Sequence, residues 1–159
     1  MKALLVVDIQ AGLMEKNIFN RESFIITVNN AIVSNRNKGN KVIFIQHNNK
    51  MLEYNKDSWK IFNLLDQKIN DIYVQKKHGN AFEDTNLKSI LNESGIEEII
   101  VCGLVSNGCI KATCIGAIEE GLKVQLIKNG HSNWNKKAQE IIHTINEEMS
   151  KINVEVIDI

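Results

Sequence analysis

Apolar residues in this chain gather into six short runs, and between the runs they recur every three or four positions. The runs are Lys2 to Val7, Lys41 to Gln46, Ile72 to Gln75, Ile99 to Cys102, Leu122 to Ile127 and Val154 to Ile157. Each has the length of a strand covered on both faces. Phe24, Val28, Ala31 and Ile32 mark one face of a helix that stops at Gly39. Leu87, Ile90 and Leu91 mark a second, ending at Gly95, which Asp84 or Thr85 can cap. Ile110, Thr113, Cys114, Ala117 and Ile118 give a third, and Ala138, Ile141, Ile142, Ile145 and Met149 give the clearest amphipathic stripe. Residues 48–70 carry the weakest pattern: a polar loop with a short helix near Trp59 to Leu65, placed where a lid would be. Strands alternating with helices predict parallel pairing, hence a three-layer α/β/α domain. No linker, repeat or low-complexity segment divides residues 1–159, which read as a single domain.

Composition narrows the partners. At 159 residues and 43% hydrophobic content the chain can bury a substantial core. Lys plus Arg and Asp plus Glu are both 19, so the net charge is zero. The basic surplus of a nucleic-acid binder is missing, and a small neutral or weakly charged ligand is the expected partner. No apolar run approaches the ~20 residues of a membrane helix, and Met1-Lys2 leads straight into a strand; the expected location is the cytoplasm, with no membrane partner. Cys102, Cys109 and Cys114 are odd in number and lack C-x-x-C spacing. They read as reduced thiols rather than a disulfide framework or a zinc site.

Candidate chemistry lies just past the strand ends, where ligands of open α/β sheets collect. Asp8 follows the first run, Lys76 the third, and Cys109 lies beyond the fourth. With Ser106 as helix cap, Cys109 falls in the first helical turn, where free N–H groups and the macrodipole favour an anion. An unperturbed thiol is only roughly 3% ionised at pH 7, and such a position is expected to lower its pKa. A carboxylate beside it can take its proton, and a lysine keeps that acid ionised. A cysteine at a strand-to-helix turn is ordinarily packing, and Cys102 and Cys114 keep that reading. Gln10, Trp59 and Phe82 are candidate substrate-binding residues, while His47, His78 and His131 read as polar loop residues at or beyond strand ends.

Val7-Asp8-Ile9-Gln10, Lys76 six residues before Phe82 with Thr85 and Leu87 beyond, and Gly103-Leu104-Val105-Ser106-Asn107-Gly108-Cys109 resemble, in order and spacing, the three signature segments of isochorismatase-like cysteine hydrolases. The resemblance implies a six-stranded parallel sheet of order 3-2-1-4-5-6, a catalytic triad of Asp8, Lys76 and Cys109, and hydrolysis of a C–N bond in a small amide. It also implies a cis peptide at Leu104 to Val105, an oxyanion hole from the backbone N–H groups of Val105 and Cys109, and a homodimer or larger homo-oligomer. Nicotinamidases in this family carry an Asp-x-His pair and a further His for a metal. Here Gln46-His47-Asn48-Asn49-Lys50 stands at that place, so neither metal nor other cofactor is expected. Isochorismatases proper cleave a vinyl ether without a cysteine, so Cys109 favours amide chemistry. Asn129 stands where many members carry Asp. A vinyl-ether hydrolase using Asp8 as acid, and an inactive binding protein of the same fold, remain as alternatives.

Overall fold

The computed structural model describes residues 1–159. Its strands are β1 (Ala3–Val7), β2 (Lys41–His47), β3 (Ile72–Lys76), β4 (Glu98–Leu104), β5 (Lys123–Ser132) and β6 (Val154–Ile157). They form one parallel sheet in the order β3-β2-β1-β4-β5-β6, as the resemblance implied. The helices are α1 (Ala11–Met14), α2 (Arg21–Asn37), α3 (Leu87–Glu93), α4 (Lys111–Glu119) and α5 (Ala138–Ser150).

The alternation of β1 divides the core in two. Leu4 and Val6 pack with Phe24, Val28, Ala31 and Ile32 of α2. Ala3, Leu5 and Val7 pack with Leu87 and Leu91 of α3, Cys114 and Ala117 of α4, and Ile145 and Met149 of α5. Both faces are therefore covered, which is why β1 reads as an unbroken apolar run. After β3 the chain crosses to the other side of β1, so the loops following β1 and β4 leave in different directions. The crevice between them is the topological switch point of the sheet.

Three local expectations are corrected. Residues 59–65 form no helix beyond a single 3-10 turn at Asp57–Trp59. The backbone there is taken by an antiparallel bridge between Gln10 and Ile61, with Ala11 N–H donating to Lys60 O at 2.8 Å and Phe62 N–H to Ile9 O at 2.9 Å. Strand-like pairing to the segment after β1 thus displaces local helix formation. β5 runs on to Ser132 instead of ending at Ile127, because Val101 pairs with Leu126 but Gly103 pairs with His131, a bulge that places three extra residues on β5. Lys128 and Asn129 project to solvent within it and interrupt the apolar pattern. At α3 the cap position is Asn86, while Asp84 takes a left-handed φ of 53° and pairs with His78. Thr85 Oγ1 accepts the Leu87 N–H at 3.3 Å.

Candidate active site

Asp8 ends β1 in the left-handed region (φ 54°), a conformation Asp tolerates better than most residues. Its N–H still donates to Ile45 O at 3.0 Å, so the turn is anchored to β2. Lys76 is the last residue of β3 and is paired in register with His47 of β2. β4 ends at Leu104, and the Leu104–Val105 peptide is cis. Ser106–Ile110 then forms a wide turn that enters α4, interrupted by Gly108 in a non-helical conformation (φ −116°, ψ −112°).

These three strand ends bring Asp8, Lys76 and Cys109 together. The Lys76 side chain has no solvent exposure, and its Nζ lies 3.0 Å from Asp8 Oδ2 and 3.2 Å from Cys109 Sγ. It also lies 2.7 Å from His47 Nδ1 and 3.0 Å from the carbonyl oxygen of His78. Asp8 Oδ1 is buried without a hydrogen-bond partner. Buried polar atoms are nearly always paired, so this one is open for use. Side-chain contacts between α4 and the loop after β3 hold the spacing: Ala81 N–H donates to Thr113 Oγ1 at 3.1 Å. Gly116 lies so close to the Asn80 amide that a Cβ would collide with it.

The ionisation of Cys109 is opposite to the expectation from its position in sequence. Burial pushes the thiol up to about 12, the Asp8 carboxylate acts in the same direction, and Lys76 opposes them. Ser106 does not cap a helix either: its fully buried hydroxyl pairs with His131 at 2.8 Å. The Gly108 break keeps Ser106 from capping a regular helix, and burial of the thiol is what raises its pKa. Cys102 and Cys114 are buried thiols likewise raised to about 12, consistent with packing.

His131 lies inside β5 with 1% exposure rather than in a loop. Asn146 Nδ2 donates to Lys128 O at 3.1 Å, which leaves Asn146 Oδ1 to accept from His131 Nε2 at 2.9 Å. Nδ1 must then accept from the Ser106 hydroxyl. Burial lowers the pKa of His131, with Asn146 acting weakly against it. The turn carrying Cys109 is thus tied to β5 and α5 by a neutral network. The bulge in β5 hid this residue from pattern reading; the polar run Asn129 to Asn133 was its only trace.

The candidate substrate-binding residues are placed unequally. Gln10 is fully buried, and its amide is spent on His47 N–H (2.9 Å), His47 O (3.0 Å) and Trp59 O (2.9 Å). It fastens the loop. Trp59 is half-buried against Tyr54 and donates from Nε1 to Gln75 Oε1 at 3.0 Å. Phe82 is buried in the core beside α3 and α4. A cavity of about 500 Å³ opens beside Lys76, lined by Asn48, Tyr54, Gln75, Lys77, His78 and Asp84.

Asp8, His47 and Cys109 bring an oxygen, a nitrogen and a sulfur within 4.8 Å of one another, a donor set zinc would accept. Lys76 Nζ already stands within 3.2 Å of Asp8 Oδ2, His47 Nδ1 and Cys109 Sγ. A divalent ion would have to displace a fully buried ammonium, so these residues do not fit a resident metal.

Several known proteins resemble this chain in sequence and fold. The family model described as Isochorismatase domain matches residues 2–159. An uncharacterized isochorismatase family protein, YddQ of Bacillus subtilis, is 28% identical over 135 residues, covering 80% of this chain and 75% of that protein. A maleamate amidohydrolase of Pseudomonas putida is 24% identical over 58 residues, 36% of this chain and 27% of that protein. A crystal structure of an isochorismatase family protein superposes with a TM-score of 0.93 at 25% identity, covering 98% of this chain and 97% of the other.

Proposed function

This chain belongs to the isochorismatase family of hydrolases, and from that premise we propose that it is a metal-independent cysteine amidohydrolase cleaving the C–N bond of a small amide. The observation that carries the reading is an Asp8 carboxylate, one oxygen unpartnered, within 4.8 Å of a protonated thiol, with Lys76 bridging the two residues. A thiol held near 12 is not a nucleophile by itself at neutral pH. It needs a base within reach, and the carboxylate is the base present.

Asp8 takes the proton of Cys109 as Sγ attacks the amide carbonyl carbon. Lys76, already touching Sγ, balances the charge that develops there. The oxyanion is held by the N–H groups of Val105 and Cys109; the Val105 N–H donates to no group of the protein. One such donor is worth roughly 3 kcal/mol in the transition state. Asp8 then passes the proton to the leaving nitrogen, the C–N bond breaks, and an S-acyl thioester remains. Water, deprotonated by Asp8, hydrolyses the thioester to a carboxylic acid and restores the thiol.

The test is ammonia release over a panel of small amides that includes maleamate, succinamate, butyramide and nicotinamide, with intact-mass detection of an acyl group on Cys109 after an acid quench. Release together with a Cys109-linked acyl adduct supports the reading. Turnover that leaves Cys109 unmodified, and that persists when Cys109 is alkylated, overturns it.

A further inference from the structure

His47 has no part in the steps above, yet it makes the shortest contact to the catalytic lysine. Its Nδ1 lies 2.7 Å from Lys76 Nζ, and it follows Gln46 at the end of β2, where Gln10 grips its backbone on both the N–H and the carbonyl. An ammonium has three donors and no lone pair, so Nδ1 accepts and the ring proton must sit on Nε2. Burial, and the positive charge of Lys76, hold the pKa of the ring below its usual value; Asp8, 3.9 Å away, opposes them. The ring is therefore neutral at pH 7, fixed in a single tautomer and backed by a rigid strand end.

Nε2–H has no acceptor in the protein, and 17% of the side chain is exposed. The ring stands against the triad, with a donor atom within 4.8 Å of those of Asp8 and Cys109, and its Nε2–H, turned from Lys76, is left for a bound molecule to accept. We propose that His47 is a substrate-binding residue whose Nε2–H donates to a second acceptor on the substrate, an oxygen other than that of the scissile carbonyl. This rests on the amidohydrolase reading and narrows its substrate class to small amides with a second carbonyl or carboxylate oxygen. The backbone donors of Val105 and Cys109 serve the scissile carbonyl, so a donor at the end of β2 has a different atom to meet. Lys76 sets the tautomer, and the grip of Gln10 sets the direction.

Nitrogen-15 NMR of the histidine rings tests the donor without any turnover. The wild-type protein should show neutral His47 with its proton on Nε2 at pH 7; a proton on Nδ1, or an imidazolium, overturns the proposal. In the Cys109→Ala protein, added succinamate should move the Nε2–H resonance downfield while butyramide, lacking the second oxygen, leaves it in place. Equal response to both overturns the proposal. In kinetics, His47→Phe should raise KM for succinamate at least tenfold with kcat changed less than threefold, and His47→Gln, which offers an N–H at similar reach, should stay within threefold of wild type in KM. A fall in kcat at constant KM also contradicts it. Failure of the cysteine mechanism itself would be read separately, from the acyl adduct on Cys109.

Discussion

The turn carrying Cys109 is gripped from two sides by buried polar groups of opposite character. On one side stand Asp8, Lys76 and His47, where an ammonium has four close neighbours and one carboxylate oxygen has none. On the other stand Ser106, His131, Asn133 and Asn146, all uncharged, with both ring nitrogens of His131 paired. Both histidines are pushed toward neutrality by burial. Only the first cluster keeps an unsatisfied acceptor and an unpartnered donor. A closed network rigidifies, whereas an open one can still bind and move protons. Substitutions of Asp8 and Lys76 should therefore strike turnover first, those of His47 substrate affinity, and those on the neutral side stability.

Asp8→Asn should give the largest effect of a positioning or acid–base change, lowering kcat by about 10²–10⁴ as expected for loss of a general base. Lys76→Met should nearly match it in rate and also destabilise the fold by about 3–5 kcal/mol, because it strands a buried carboxylate. Steady-state kinetics and denaturant melts separate the two quantities. His131→Ala should reverse the order. It leaves Ser106 Oγ and Asn146 Oδ1 without their partner, at roughly 1–3 kcal/mol for each stranded group, while kcat falls less than tenfold. A His131 variant that melts like wild type but has lost turnover would erase the proposed division.

The pH dependence sharpens the same contrast. His131 and His47 titrate below the ordinary 6.5 in the folded state, so on acidification the unfolded chain binds protons that the native one does not. Stability should fall as pH drops below 6.5, and His131→Gln should flatten that limb. The thiols act at the other end. With Cys102, Cys109 and Cys114 raised from 9.0 to about 12, the unfolded chain loses protons first, and stability should fall as pH rises from 9.0 toward 12. Iodoacetamide should alkylate Cys109 at a rate that climbs with pH from 7 to 10 without a plateau. A plateau above pH 6 would mean that Lys76 outweighs burial. The smallest effect is expected from Asn133→Ala, whose 3.4 Å contact to Ser106 is the longest in the neutral network.

The charged side could be read from sequence and the neutral side could not, for a physical reason. Asp8, Lys76 and Cys109 each interrupt or follow an apolar run, and strand ends in a doubly covered sheet are where polar residues carry chemistry. His131 and Ser132 belong to a strand too, but the bulge after Leu126 puts exposed Lys128 and Asn129 before them and makes the whole stretch look like loop. The fold was legible because β1, β2 and β4 are buried on both faces and leave long apolar runs. Pairing to Gln10 overrode local preference at Ile61, where a helix was expected. The ionisation of Cys109 depends on how deeply the thiol is sunk, which spacing along the chain does not record.

The most direct test compares ammonia release by the wild-type and Cys109→Ala proteins on the best amide of the panel, at matched thermal stability. Attack by the Cys109 sulfur predicts no release above the uncatalysed background from the variant, with an unchanged melting transition. Release at the wild-type rate from a folded Cys109→Ala protein would contradict that chemistry outright.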